Sequence, residues 1–319
     1  MSNKLTELLS GKRAMVTGGL GFIGSNLVHA LVDIGAYVTI IDSLDPRSGG
    51  DIANIQGIED KIDLVSADIC EFEAVASVVQ NAAYVFHCAA HTSHPYSMRD
   101  PQLDVSVNCI GTLNVLESVR RLRPNAKMVY VGTSTQIGPM TSSPITESHR
   151  VAPVDIYSAN KAAAEYYCRI YANAHDIDVN VVRLPNVYGP RANIKSPDFG
   201  FINYFIGLAL NGQSLTIYGD GSQIRDFVYV EDVAKANFAA MMNKTEFGFF
   251  NVGTGKAVSI KELAELMIKL YKLELMPNYS KALSGDIKQS KADTKQMKDL
   301  IGWKSETELE GGLKNMITF

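Results

Sequence analysis

The chain has 319 residues, with 30 Lys and Arg against 34 Asp and Glu for a formal net charge of −4. That length buries a sizeable core as one large domain or two unequal ones, and the lack of any basic block argues against a nucleic-acid partner. No apolar run approaches the ~18 residues of a membrane span and the first residues show no leader pattern, so a cytoplasmic protein without membrane association is expected.

In chain order, the short apolar runs RAMVTGG, AYVTIID, DLVSADI, YVFHCAA, KMVYVGT and VNVVRLP alternate with longer amphipathic stretches. This alternation predicts βαβ units and an α/β fold built on a doubly wound parallel sheet. The runs are apolar nearly throughout, as required of strands covered by helices on both faces.

The first run leads into Gly18, Gly21 and Gly24 at GxxGxxG spacing, at the opening of a helix candidate. Gly18 and Gly21 permit a tight turn and close backbone approach, Gly24 lets helix and strand pack, and the helix N-terminus faces a pyrophosphate. Asp42 ends the second run, 18 residues after Gly24. A carboxylate there accepts from the adenine ribose hydroxyls and repels a 2′-phosphate, which favours NAD over NADP, with Arg47 close by as the one nearby cation that a 2′-phosphate would use. Asp68, Ile69, Ala89 and Ala90 end later runs, on the edge where doubly wound sheets bind ligands.

After YVFHCAA come His91 and His94, three apart, with no carboxylate or third histidine at metal-ligand spacing. They read as loop residues, and no metal is expected. Ser93, between them, is a sugar-contact candidate by position. Cys70, Cys88, Cys109 and Cys168 lack CxxC spacing and read as buried thiols of a reducing compartment.

Two long helix candidates run roughly from Pro101 to Arg123 and from Asp155 to His175. On the second, Tyr157 and Lys161 lie four residues apart, hence on one face. A cation within about 4–6 Å favours a phenolate whose unperturbed pKa is about 10, which would make Tyr157 a usable proton shuttle. Beyond Pro190 the regularity breaks, leaving FINYFIGLALNG as a helix, SLTIYG as a strand and RDFVYVEDVAKANFAAMM as one more strand and helix. The expected division is a dinucleotide-binding domain, 1–190 and 222–252, and a substrate domain, 191–221 and 253–319.

These residues together resemble the extended short-chain dehydrogenase/reductase family, in particular its nucleotide-sugar epimerases and dehydratases. The resemblance rests on TGGLGFIGSNL, HCAA, VNCIGTLNVLE, YSANK, RLPNVYGPR, IYGDGSQIRDFVYVEDVAKA, FNVGTG and the tail SGDIKQSKADTKQMKDLIGW. It implies a Rossmann-type sheet with a smaller, irregular C-terminal substrate domain. It makes Tyr157 the acid/base, with Lys161 lowering its pKa and holding the nicotinamide ribose, and gives Thr133 the family's catalytic hydroxyl. Phe22, Ile23 and Pro185 are placed against the cofactor. Asn186, Arg225 and Asp286 are placed against a nucleotide sugar, with Leu215 and Tyr218 lining the base. The two long helices are implied to form a homodimer.

The residues after Thr133 narrow the reaction. The family's 4,6-dehydratases carry an Asp-Glu pair there, whereas this chain has Ser134 and Thr135. Neither hydroxyl has a useful pKa for acid/base work, which disfavours elimination. What the resemblance then implies is 4-epimerisation by oxidation and re-reduction at one carbon. A nucleotide-4-keto-sugar reductase or dehydrogenase, or a dinucleotide-sensing regulator on the same fold, are the alternatives. Leu283 where relatives carry arginine, together with Gln136 and Ile137 in the strand-five motif, suggests a sugar pocket of its own kind.

Overall fold

A computed structural model describes residues 3–140, 142–243, 247–282 and 287–319. A short helix, α1 (Asn3–Leu9), precedes β1 (Arg13–Thr17), α2 (Phe22–Ile34), β2 (Tyr37–Asp42), β3 (Ile62–Ser66), α3 (Phe72–Val79) and β4 (Tyr84–His87). Then come α4 (His94–Arg99), α5 (Pro101–Val105), α6 (Thr112–Leu122), β5 (Lys127–Thr133), α7 (Ile156–His175) and β6 (Val179–Leu184). The remainder holds β7 (Asn186–Tyr188), α8 (Phe201–Leu210), β8 (Thr216–Tyr218), β9 (Ile224–Arg225), β10 (Phe227–Tyr229), α9 (Val230–Met241) and β11 (Gly248–Asn251). It ends with β12 (Val258–Ser259), α10 (Ile260–Tyr271), β13 (Asn278–Ser280) and α11 (Leu309–Thr318).

All six apolar runs are strands of one parallel sheet, ordered β11-β6-β5-β4-β1-β2-β3. The strand order reverses between β1 and β4, which opens a crevice at their C-terminal ends. The seventh strand, β11, escaped the sequence reading. Its segment GFFN sets only two apolar residues between a glycine and an asparagine, too few for a periodicity signal, and the long-range pairing with β6 supplies the evidence for it.

The sheet is buried on both faces. Leu27, Leu31, Phe86 and Phe238 belong to the cluster under α2 and α9, while Val75, Val115, Tyr130 and Cys168 belong to the cluster under α3, α6 and α7. A third cluster, with Tyr188, Phe205, Leu263 and Leu313, lies among α8, α10 and α11. Four strands of two or three residues that periodicity does not reveal, β7, β9, β12 and β13, help tie this region together: β7 pairs with β10, β9 with β12, and β13 with β8.

The first long helix candidate is not uniform. Its α5 and α6 segments are joined by a π-helical stretch, Ser106–Gly111. This wider turn sets Gly111 against Ile69, where a Cβ would come within 2.4 Å of the isoleucine side chain. The second candidate forms as expected, as α7. Asp155 caps it by accepting from the Ser158 backbone N–H at 2.7 Å, which satisfies an otherwise orphaned donor.

Candidate active site

The crevice is a cleft of about 690 Å³ along the C-terminal edge of the sheet. At one end lies the glycine turn. Gly18 has φ +65, and a Cβ on it would sit 2.7 Å from the backbone of Ala89. Only glycine allows β1 and β4 to end this close together. A Cβ on Gly24 would meet the Gly18 carbonyl oxygen at 2.1 Å, so the first turn of α2 rests directly on the loop before it. Gly21, Phe22 and Ile23 complete this wall, with the helix N-terminus facing the cleft.

Asp42 lies at the end of β2 and also faces the cleft. Its two oxygens accept from the backbone N–H of Leu20 at 3.0 Å and Leu44 at 2.9 Å. Burial pushes its carboxyl up, and those two N–H groups pull it back. Arg47, the nearby cation, is committed to Asp45 through a contact of 2.9 Å from Nε. Asp68, Ile69, Ala89 and Ala90 line the same stretch of cleft.

Behind Ala89 runs a chain of hydrogen bonds that fixes a histidine tautomer. The Ala89 N–H donates to Thr17 Oγ1 at 3.1 Å, and that hydroxyl lies 2.7 Å from His87 Nδ1. On the other side of the ring, His87 Nε2 lies 3.0 Å from Thr112 Oγ1, which donates its proton to the Asn108 carbonyl. Thr112 has therefore only an acceptor to offer, so Nε2 carries the hydrogen and Nδ1 accepts from Thr17. Full burial, helped by the charge of Lys161, pushes the imidazole down to about 3, so it is neutral and supports the Ala89 end of the cleft.

At the other end are Thr133, Tyr157 and Lys161, all lining the cleft and all nearly buried. Thr133 Oγ1 accepts from the Thr135 N–H at 3.2 Å and lies 3.0 Å from the Thr135 hydroxyl, which takes a hydrogen bond from Ser158 at 2.9 Å. The Lys161 ammonium donates to the Val131 carbonyl at 2.7 Å and sits over the Tyr130 ring at 4.2 Å. Burial pushes it down to about 8. Burial also pushes the Tyr157 phenol up, and the hydrogen bond from Thr133 is what pulls it down, against the charges of Asp104 and Asp155.

Pro185, Asn186 and Arg225 line the cleft as well. Two carboxylates of the same stretch of chain are engaged with backbone. Asp226 accepts from the Thr254 and Gly255 backbone, and Asp232 accepts from the backbone at Glu306 and Thr307.

Three substrate candidates lie elsewhere. Ser93 is 2% exposed and its hydroxyl caps α4 through the Tyr96 N–H; its neighbours Thr92 and His94 face the cleft instead. Leu215 is 1% exposed in the third core cluster, and Tyr218 projects to solvent at 45%. Asp286 and Leu283 lie outside the described residues. Gln136 is not part of the sugar pocket: its amide donates to Glu165, which is paired with Arg183 in the interior, and Ile137 is buried beside it. Of the four thiols, Cys70 and Cys88 are half-buried, not buried, and Cys88 reaches the cleft wall. His94, Thr92 and the loop residues Asp198 and Phe199, all on the cleft, were missed as site residues because contacts across more than 60 residues bring them there.

Residues 14–253 match the model of the NAD dependent epimerase/dehydratase family. The chain belongs to that family. The UDP-glucose 4-epimerase of Mycolicibacterium smegmatis is 32% identical over 311 residues, covering 96% of this chain and 98% of that protein. Among solved structures, a UDP-N-acetylglucosamine 4-epimerase from Methanobrevibacter ruminantium in complex with UDP-N-acetylmuramic acid superposes with a TM-score of 0.91 at 32% identity, covering 97% of this chain and 98% of that one. The Thermus thermophilus UDP-glucose 4-epimerase in complex with NAD gives 0.85 at 29% identity, covering 96% and 98%.

As in other members of this NAD-dependent family, the cofactor is NAD, and the residues present fit it. The Gly18–Ala89 approach leaves a cradle that any Cβ would fill, α2 offers its N-terminal N–H groups to a pyrophosphate, and Asp42 offers acceptor oxygens to a ribose diol.

Proposed function

We propose that this enzyme is a nucleotide-sugar 4-epimerase acting on a UDP-hexose or UDP-N-acetylhexosamine. The observation that carries this reading is the reacting end of the cleft. It brings Tyr157 and Thr133 together on one cleft wall, and the two residues after that threonine, Ser134 and Thr135, bring hydroxyls but no carboxylate.

In this reading Tyr157 reacts as its phenolate, favoured by the Lys161 cation four residues on, and Thr133 holds the sugar hydroxyl against it; the phenolate oxygen takes that proton as the carbon is oxidised and returns it as the carbon is reduced from its other face. Bound NAD supplies the hydride acceptor and, once the sugar has turned, the hydride donor. Lys161 and Tyr157 face the ribose end of the dinucleotide, and Asn186 and Arg225 hold the diphosphate, the latter through a planar guanidinium suited to two oxygens. The sheet and its glycine turn then form the cofactor domain, 1–190 and 222–252, and segments 191–221 and 253–319 form the substrate domain.

Incubation with UDP-glucose, UDP-N-acetylglucosamine and their 4-epimers tests the reading. Interconversion of at least one pair with no net change in NADH absorbance is expected. Stoichiometric release or consumption of NADH would instead assign a reductase or dehydrogenase, and no turnover of any pair would sink the proposal.

The enzyme is further proposed to be a homodimer through α5–α6 and α7. These helices pack on one another, and they leave Val105, Ile110, Leu122, Tyr166 and Ile170 exposed at 38–55%. Apolar side chains grouped on adjoining helices favour a self-complementary contact. Sedimentation at micromolar concentration should give the mass of two chains; the mass of one would refute the dimer.

A further inference from the structure

His94 has a place beside Tyr157 that none of the roles above uses. It begins α4, lines the cleft, and leaves 43% of its side chain exposed. Two ties fix it. Its Nδ1 lies 2.7 Å from Asp155 Oδ2, while the other oxygen of Asp155 caps α7. Ser97 donates to the His94 carbonyl at 2.8 Å and accepts from the Tyr157 N–H at 3.1 Å, so backbone and ring are both pinned to the start of α7. The His94 and Tyr157 rings meet edge to face, with centroids 4.7 Å apart at 76°.

The contrast with His91 is instructive. That ring also has Nδ1 on a carboxylate, Asp104 at 2.9 Å, but both partners are fully buried and off the cleft. His94 has the same pairing with its far edge open. A carboxylate only accepts, so Nδ1 carries the hydrogen and Nε2 is the nitrogen left over. Among the described residues Nε2 has no hydrogen-bond partner.

A sugar whose reacting hydroxyl meets Tyr157 presents the substituent on an adjacent carbon to the neighbouring ring. We propose that His94 is a sugar-contacting, specificity-setting residue, with Nε2 bonded to an O–H or N–H substituent next to the reacting carbon and Asp155 fixing its tautomer. This rests on the nucleotide-sugar reading given above. Asp155 acts through His94 and is a positioning residue.

Calorimetric binding of UDP, a panel of UDP-hexoses and their mono-deoxy analogues to the purified wild type, His94→Phe and Asp155→Asn tests it. The phenyl ring retains the contact with Tyr157 and loses only the nitrogens, and asparagine retains an oxygen for the helix cap. His94→Phe should weaken binding of the preferred UDP-sugar about tenfold, the worth of one hydrogen bond. Its affinity for bare UDP, its dinucleotide content and its Tm should be unchanged. One deoxy analogue, lacking the partner group, should bind wild type and variant alike, and Asp155→Asn should show a smaller loss with the same analogue pattern. Equal affinity of wild type and His94→Phe for every UDP-sugar overturns this proposal alone, as does the same loss on every ligand including UDP. A wild type that binds no UDP-sugar overturns the substrate reading along with it.

Discussion

Replacing Tyr157 with phenylalanine is expected to lower kcat about a thousandfold, within the range seen when a positioned acid/base group is removed. At about 1.36 kcal/mol per tenfold, that is about 4 kcal/mol of lost transition-state stabilisation. The ring is 8% exposed and packs edge to face on His94, and phenylalanine keeps both the volume and that contact. Folding and NAD content should therefore match the wild type, so that the loss is in turnover and not in assembly. Steady-state kinetics together with the NAD content of the purified variant check this. A variant within tenfold of wild-type kcat would remove Tyr157 from the mechanism and, with it, the role given to Thr133.

Gly24→Ala is expected to abolish retention of NAD and to lower stability by about 1–3 kcal/mol, the usual range for forcing extra volume into a packed site. A Cβ there meets Gly18 O at 2.1 Å, Gly18 C at 2.8 Å and Gly19 Cα at 2.9 Å. All three are backbone atoms, so no side chain can turn aside, and α2 must shift away from the loop that shapes the pyrophosphate cradle. Gly311→Ala is the control. It places its methyl in open space on α11, and its dinucleotide content should equal that of the wild type. Full NAD retention in Gly24→Ala, measured by release on denaturation, would show that α2 and its turn tolerate the shift.

The sequence by itself determined the sheet, the glycine turn with Asp42, and the spacing of Thr133, Tyr157 and Lys161 on the edge of the cleft. All of these are written in local patterns: apolar runs of strand length, glycines where backbones touch, and a four-residue helical repeat. The tertiary structure decided what those residues face. Lys161 donates to the Val131 carbonyl, and the Tyr157 phenol is pushed up by burial and drawn back by the Thr133 hydroxyl, partners that no four-residue spacing announces. The Ser93 hydroxyl caps α4, and it is the next residue, His94, that lines the cleft. Leu215 went to the core and Tyr218 to solvent because strand alternation sends neighbours to opposite sides according to packing that lies far away in the chain. His94 meets Asp155 and Tyr157 only through folding, since a contact across 61 residues leaves no spacing for a sequence pattern to show.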